Sequence, residues 1–511
     1  MTKAAIVVAA LALSAASEQG RRVRFSDLAP AIRTFLGDAG TTVAQFDGYL
    51  TRIEEDTARR VAEGDRDHLI YYALQSGRFT QQPRIEPALS ARAFVEGLAP
   101  ADRARLLDEP TFLPAGRLPA VERARLVDLL AALRKPSRDA RLMYFRDVAK
   151  SAPADAFYPD YVRVARFLYL KEFVAGADAH AVARLYQTRA HSVDTQIDAG
   201  FAVFVGLGVV RAIDPAFRAT RVLIVGPGLD LAPRTDLIDD ADLQSYQPLA
   251  VADALLSRSM TSERELRVHS VDVNPRVVDA VQRLQAKGLT WRVFANAIGT
   301  PRAPLAPDYA DYVQRLGKAV GDEIPAPRDL TRNRHYERSI AVRPELAKMF
   351  TAVQLNIVTE RLADERFDVI VITNVLPYLD DRALALALVN LSAMLGPGGY
   401  LLHNESRATL PPLAKALGLP LLQMRTVTLA GPVGRPAYDA IWIHQSSVIR
   451  RQSSAGQSLA SGQRDRNNLR LTFATRYFAR PAGQLTTTVY GSERSFSTGA
   501  MKRNRPSRLT S

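Results

Sequence analysis

The sequence predicts an α/β protein in which a doubly wound, mostly parallel sheet follows an all-α N-terminal domain. An apolar, β-branched run over 221–225 ends at Gly226-Pro227-Gly228, as a buried parallel strand ends at a tight turn. From there to residue 445, strand-like and helix-like segments alternate, which is the pattern of parallel strands joined by crossover helices. Between residues 25 and 214 apolar residues recur at helical spacing instead, and strand signals are scarce.

Short apolar runs place the remaining strands in chain order. They are predicted over residues 266–272, 289–295, 367–373, 400–405, 424–430 and 438–444. A helix with leucines on one stripe stops at Gly396-Pro397-Gly398-Gly399, just before the predicted strand 400–405. Residues 300–365 interrupt the rhythm with prolines and then helical character. We expect them to form an insertion, of the kind that builds a substrate wall or lid.

Composition sets the broad class of the protein. With 511 residues, 47% of them hydrophobic and 23% charged, the chain is long enough for two or more globular domains. The lack of cysteine excludes disulfides, thiolate metal sites and a cysteine nucleophile. The seven histidines show no pair at metal-ligand spacing, so we predict no metal.

The positive charge is concentrated at the end of the chain. From Ser446 onward there are twelve Arg or Lys residues against two acidic ones, which accounts for +10 of the net charge of +14. Residues 446–511 are therefore predicted to be a basic disordered tail, rich in polar residues and without sustained apolar periodicity. Such a tail favours weak binding to anionic surfaces, and we expect no specific nucleic-acid partner.

The first sixteen residues have the layout of a secretory signal. Lys3 precedes a short apolar run, and Ser14-x-Ala16 supplies small residues for cleavage. The alternative is an N-terminal helix packed on the body of the protein. The domain organisation is therefore a signal-like segment 1–16, a helical domain 17–215, an α/β domain 216–445 and the tail.

Glycines and polar residues follow successive predicted strands at their carboxyl ends, where open α/β sheets bind ligands. Gly226 and Gly228 would let the backbone approach a ligand. Asp272 ends the second strand, where a carboxylate can accept two hydrogen bonds from a ribose diol. The alternative roles are those of turn glycines and of a helix-capping aspartate.

Three more polar residues follow the next two strands. Asn296 comes after the third strand, in position to meet a purine amino group. Asn374 and Tyr378 come after the fourth strand, facing the reactive end. A loop asparagine and a packed tyrosine are the plain alternatives, and the joint order of these residues along the chain favours a site.

In this order the residues resemble the class I S-adenosylmethionine (SAM)-dependent methyltransferases, over roughly residues 219–445. The pattern Phe-Asp-x-Ile-x-x-x-Asn-Val-Leu-x-Tyr from Phe367, with the later Pro-Gly-Gly, is most similar to the CheR-like branch, the chemotaxis-receptor glutamate methyltransferases. The resemblance implies a Rossmann-like class I methyltransferase fold and SAM as cofactor. It also implies that Gly226 and Gly228 surround the methionine portion, Asp272 binds the ribose and Asn374 lies near the sulfonium.

Two positions depart from the family pattern. Ile224 replaces the acid commonly found inside the first strand, and Asp230 replaces the third glycine. We hypothesise that Asp230 contacts the methionine amino group. An NAD-binding fingerprint fails instead, because it needs a glycine where Leu231 stands and an acid about 20 residues further on.

The predicted function is methyl transfer from SAM to an unidentified acceptor, either a protein carboxylate or a small molecule. The cofactor carries the reactive group, so no catalytic dyad is required and the catalytic residues stay unassigned apart from Asn374 and Tyr378 as candidates. A non-catalytic interaction or regulatory module on the same fold is the alternative. Cofactor supply favours the cytoplasm, whereas the signal-like segment favours export or membrane association.

Overall fold

The computed structural model of the protein describes residues 20–175, 179–195, 197–231, 243–285, 288–295, 297–301, 303–431 and 437–447. The signal-like segment 1–16 and nearly all of the basic tail lie outside these ranges and stay predictions. Within them, no helix combines the length and apolarity needed to cross a membrane.

The strands belong to one large sheet and two small ones. In chain order they are β1 (Gly20–Arg22), β2 (Arg221–Val225), β3 (Arg267–Asp272), β4 (Thr290–Phe294), β5 (Gly321–Ile324), β6 (Tyr336–Val342), β7 (Phe350–Gln354), β8 (Glu360–Leu362), β9 (Phe367–Ile372), β10 (Leu395–His403), β11 (Leu421–Ala430) and β12 (Ala437–Gln445). The large sheet has seven strands in the order β11-β12-β10-β9-β2-β3-β7. Only β12 runs antiparallel to its neighbours β10 and β11.

Five strands of the large sheet form a parallel block, β7-β3-β2-β9-β10. Numbered by their order along the chain, they are arranged 3-2-1-4-5, the order of a doubly wound sheet. The direction of winding reverses between β2 and β9. The carboxyl ends of these two strands are therefore the switch point of the sheet, the position at which such sheets bind ligands in a crevice and which we call the crevice.

The third strand of this block differs from the one predicted. Residues 289–295 do form β4, but β4 pairs antiparallel with β6, which pairs with β5 in a separate three-stranded sheet. The third position is taken by β7, which lies inside the segment 300–365 that was predicted to be a largely helical insertion. The prediction was wrong because a five-residue apolar run has the same pattern in either kind of sheet, and its partner is chosen by tertiary contacts.

The helices surround the large sheet. Before β2 they are α1 (Pro30–Asp38), α2 (Val43–Gln75), α3 (Pro87–Glu96), α4 (Pro100–Asp108), α5 (Ala120–Leu133), α6 (Ala140–Ala149), α7 (Tyr158–Tyr169), α8 (Ala179–Thr188) and α9 (Ile197–Ile213). After β2 they are α10 (Gln247–Ser257), α11 (Pro275–Gln282), α12 (Pro307–Arg315), α13 (Asp381–Met394) and α14 (Leu410–Ala416).

The N-terminal helices pack on both faces of the large sheet. Side chains alternate along β2, so that Val222 and Ile224 join the core that includes α9 and α10. Leu223 and Val225 face the opposite core, to which α1, the start of α2 and α13 contribute. The N-terminal region is helical apart from β1, which pairs with β8 across the sequence. The hydrophobic cores thus contain residues from both sides of the predicted domain boundary at residue 215. That residues 17–215 form a separate domain stays a prediction.

Candidate cofactor site at the carboxyl edge of the sheet

The turn after β2 has the backbone shape that the two glycines predict. Gly226 and Gly228 have φ angles of 69° and 62°, a left-handed backbone conformation that residues other than glycine rarely adopt. The space that a Cβ would need is filled by the chain itself, by Val375 at Gly226 and by Thr195 at Gly228. The glycines are therefore required by the turn and by close packing.

A short segment before α9 lies directly over this turn. Leu229 donates a backbone hydrogen bond to the Val193 carbonyl at 2.7 Å, and Thr195 donates one to the Leu229 carbonyl at 3.0 Å. Helix α2 holds the same segment from the other side, because His191 donates to the Arg60 carbonyl at 2.9 Å. The N-terminal helical region thus forms one wall of the site.

Asp272, the last residue of β3, joins its strand to the glycine turn. Its half-buried carboxylate accepts hydrogen bonds from the backbone of Asn274, at 2.8 Å, and of Gly228 and Val273. Burial raises the pKa of Asp272 to about 7, an effect that these hydrogen bonds oppose and the nearby Asp65 carboxylate increases. Asp272 is thus placed as predicted, at the carboxyl edge and beside the turn.

Asp65 on α2 is a second carboxylate at this end of the site. It is 2% exposed and accepts hydrogen bonds from the Tyr144 hydroxyl at 2.5 Å and the Asn274 amide at 2.9 Å. Its ion pair with Arg276 measures 2.6 Å. Asp65 therefore ties α2 to the turn that follows Asp272, and no motif in the sequence pointed to it.

Asn374 comes directly after β9, on the other side of the crevice. Its φ is 61°, a region where asparagine is enriched several-fold over most residues. Its backbone N–H donates to the Asn404 amide oxygen at 2.9 Å, and the Asn404 amide nitrogen donates to the Asn374 oxygen at 2.6 Å. Asn404 follows β10, so this pair links the ends of two neighbouring strands.

Two carboxylates adjoin the asparagine pair. Asn404 also hydrogen-bonds Asp439, at the start of β12, and Asp198 lies in the first turn of α9 with Tyr309 donating to it. Burial raises the pKa of Asp439 to about 6; its hydrogen bonds oppose this and the Asp198 charge adds to it. Two carboxylates therefore lie close together near the asparagine pair.

Tyr378 is packed rather than presented to the crevice. It is 7% exposed, its ring meets Tyr186 edge-on at 5.7 Å between centroids, and the His191 ring lies 5.3 Å away. Its hydroxyl hydrogen-bonds the backbone of Ser192, and burial raises its pKa. These contacts anchor the wall over the site, which agrees with the alternative of a packed tyrosine.

Asp230 turns toward the helical region. The Arg141 guanidinium donates to the Asp230 backbone carbonyl at 2.8 Å and lies 3.9 Å from its carboxylate. Contact of Asp230 with a methionine amino group stays a prediction.

Asn296 lies outside the described residues, and its predicted role rested on β4 being the third parallel strand. The residues that follow that strand here are Leu355 and Asn356.

Gln247 is a site residue that the sequence did not reveal. It begins α10, is 2% exposed, and its amide nitrogen donates to the Thr373 hydroxyl at 2.6 Å. Thr373 directly precedes Asn374. A glutamine after a long polar stretch carries no pattern, so only the fold brings it to the crevice.

Comparisons with known proteins give weak structural similarities. Neither a scan of family models nor a search of curated proteins finds a match. Among solved structures, the chain is similar to the N-methyltransferase NodS from Bradyrhizobium japonicum WM9 in complex with S-adenosyl-L-homocysteine. The identity is 14%, the match covers 48% of this chain and 87% of NodS, and the TM-score is 0.23.

A second similarity is to magnesium protoporphyrin IX methyltransferase (ChlM) from Synechocystis PCC 6803 with bound SAM. Its identity is 9%, its coverage 53% of this chain and 97% of ChlM, and its TM-score 0.26. The glycopeptide N-methyltransferase MtfA shows 10% identity, coverage of 47% and 86%, and a TM-score of 0.25. At such values the Rossmann-like α/β class rests on the strand order of the sheet itself.

Proposed function

We propose that the protein transfers a methyl group from SAM to an acceptor. The observation that carries the proposal is the placement of Asp272. It ends the second strand of a 3-2-1-4-5 sheet and accepts a hydrogen bond from Gly228, in the turn after the first strand. This puts a carboxylate and a left-handed glycine turn together at the edge where doubly wound sheets bind nucleotides.

The chemistry of these residues fits SAM. The Asp272 carboxylate can accept hydrogen bonds from the two ribose hydroxyls, and the turn at Gly226 lies toward the switch point, where the methionine portion would extend. When bound, SAM supplies a methyl group on a sulfonium leaving group, so the protein needs to bind, orient and exclude water. The segment Val193–Thr195, held by α2, closes the site on the side of the glycine turn.

The part of the crevice near Asn374 contains carboxylates, and their presence bears on the class of molecule that accepts the methyl group. The Asp439 carboxylate hydrogen-bonds Asn404 of the Asn374–Asn404 pair, and the Asp198 carboxylate lies close enough to Asp439 to raise its pKa. An acceptor carboxylate, as the resemblance to the chemotaxis-receptor branch would imply, meets like charges here. We therefore favour a neutral amine as the nucleophile: its nitrogen lone pair would form the new bond to the methyl carbon as the bond from that carbon to the sulfonium sulfur breaks, and the Asp439 carboxylate can accept the proton that the methylated nitrogen then loses.

Calorimetric titration of the full-length protein with SAM, and separately with NAD, tests the proposal. We expect SAM to bind and NAD not to bind. Asp272→Ala should weaken SAM binding by about 1–3 kcal/mol, because the ribose hydroxyls lose their acceptor. Absence of SAM binding by a folded sample would contradict the assignment and favour a non-catalytic module on the same fold.

A further inference from the structure

The amide of Gln247 leaves one buried hydrogen-bond acceptor unused. Its nitrogen is bonded to the Thr373 hydroxyl, whereas its oxygen has no partner among the described residues. The side chain is 2% exposed, so bulk water does not reach it. A buried polar atom without a partner is costly, and in native proteins it is commonly satisfied by a ligand or an ordered water.

The register of the sheet places the Gln247 side chain near the glycine turn. Val225 of β2 is paired with Ile372 of β9, so the next residues along the two strands, Gly226 and Thr373, lie side by side. Gln247 reaches Thr373 from the start of α10, on the face of the sheet that Ile224 also faces. The Gln247 amide group, bonded to Thr373, therefore lies near the glycine turn, at the switch point between β2 and β9.

Asp230 is the residue that the sequence suggested for the methionine amino group, and Ile224 stands where the family commonly has an acid. Ile224 is fully buried and apolar, and it packs in the core. The Asp230 carboxylate lies toward Arg141. An ammonium group at the switch point can be bound by the Gln247 oxygen when the amide nitrogen donates to the Thr373 hydroxyl.

Building on the proposed function, we propose that the Gln247 amide oxygen accepts a hydrogen bond from the methionine ammonium of SAM. Gln247 is then a binding residue that distinguishes SAM from nucleosides that lack the amino group. A neutral amide suits this task, because it binds the ammonium without placing another buried negative charge near Asp272.

The test compares three ligands by calorimetry on the full-length protein: SAM, decarboxylated SAM, which keeps the ammonium, and 5′-methylthioadenosine, which has none. Gln247→Leu should weaken SAM and decarboxylated SAM by roughly 10- to 100-fold, the range for a hydrogen bond to a charged group. Binding of 5′-methylthioadenosine should stay unchanged. Gln247→Glu keeps an acceptor and should bind SAM at least as tightly as the original protein.

Gln285→Leu is a control away from the crevice, at a more exposed glutamine whose amide is bonded to the Phe350 carbonyl at the amino end of β7. It should leave all three affinities unchanged. The inference is overturned if Gln247→Leu weakens the binding of all three ligands equally, or if it leaves the affinity for decarboxylated SAM unchanged. It is also overturned if Gln247→Glu weakens SAM binding as much as Gln247→Leu does. Failure of the unmodified protein to bind SAM would instead overturn the proposed function.

Discussion

Asp272 combines an observed structural role with the binding role that we propose for it. Its carboxylate fastens the turn after β3 through the Asn274 N–H and reaches the glycine turn through the Gly228 N–H. Burial and the neighbouring Asp65 raise its pKa to about 7, so the charge needed for ribose binding is only partly present at neutral pH. Under the proposed function, ligand binding at this residue is expected to be coupled to proton release.

We predict that SAM affinity depends on pH through Asp272. The ribose hydroxyls bind the ionised carboxylate, so protonation competes with SAM, and affinity should rise from pH 6 and level off above about pH 8. The change should approach about tenfold per pH unit below pH 7. Titrations at several pH values measure it. Asp272→Asn should flatten the profile, and an equally steep profile in that variant would contradict the assignment.

We predict that Gly228→Ala disrupts the site. An alanine Cβ would overlap the Thr195 hydroxyl and lie 2.7 Å from the Val193 carbonyl, at a φ of 62° that alanine disfavours. Denaturant unfolding should show a loss of about 1–3 kcal/mol, together with weaker SAM binding. Gly398→Ala is the matched control. Its φ is 68° and nothing lies within 4 Å of the added Cβ. Gly398 is near the amino-terminal end of the parallel strands, opposite to the end that carries the glycine turn. A similar loss in both variants would show that backbone strain alone is responsible.

Among the elements, α2 has the widest range of contacts around the site. This 33-residue helix contributes Phe46 and Leu50 to one core and Leu69 and Ile70 to the other. Between them, Arg60 donates to the carbonyls of Arg189, Tyr186 and Tyr378. The helix thus fixes both the segment over the glycine turn and the loop after β9.

We predict that the contact of α2 with this segment fails in Gly64→Ala. The added Cβ would overlap the His191 carbonyl oxygen, so the helix and the segment must separate. Stability should fall by about 1–3 kcal/mol, and limited proteolysis should cut sooner near residue 191.

Gly48→Ala on the same helix is the control for that variant. Its nearest neighbour is the Arg52 guanidinium at 3.6 Å, so the added methyl group fits and should stabilise the helix by about 0.5–1 kcal/mol. Equal effects of the two substitutions would refute close packing at Gly64.

At the scale of the whole molecule, one hydrophobic core continues from the N-terminal helices into the sheet. Val203 and Leu207 of α9 share a core with Leu402 and Ile441, and Ile32 of α1 shares the opposite core with Leu401. The pairing of β1 with β8 adds a backbone connection across more than 300 residues of sequence. Such contacts favour one cooperative unit.

We predict that a fragment of residues 216–447 does not fold by itself. Without the helices before residue 216 it exposes apolar faces on both sides of the sheet and leaves β8 without its partner. It should aggregate or bind a hydrophobic dye, whereas residues 17–447 should unfold in a single calorimetric transition. A soluble, cooperatively folded fragment that binds SAM would show that the domain boundary at residue 215 is real.

The sequence by itself determined the elements whose signal is local. The apolar runs of β2, β3, β9, β10, β11 and β12, the glycine turn and the position of Asp272 follow from periodicity and from the conformational range of glycine. These features depend on neighbours a few residues away, so the linear order of the chain contains them.

Only the tertiary structure decided which strand takes the third place in the parallel block, and which side chains from distant elements reach the crevice. The third place is occupied by β7 and not by β4, the strand predicted for it, because strand pairing depends on contacts that the apolar pattern does not encode. Gln247, Asp65, Asn404 and Asp439 come from four different elements or loops, and none carries a sequence motif. Their roles arise from burial and from hydrogen-bond geometry, which exist only once the chain is folded.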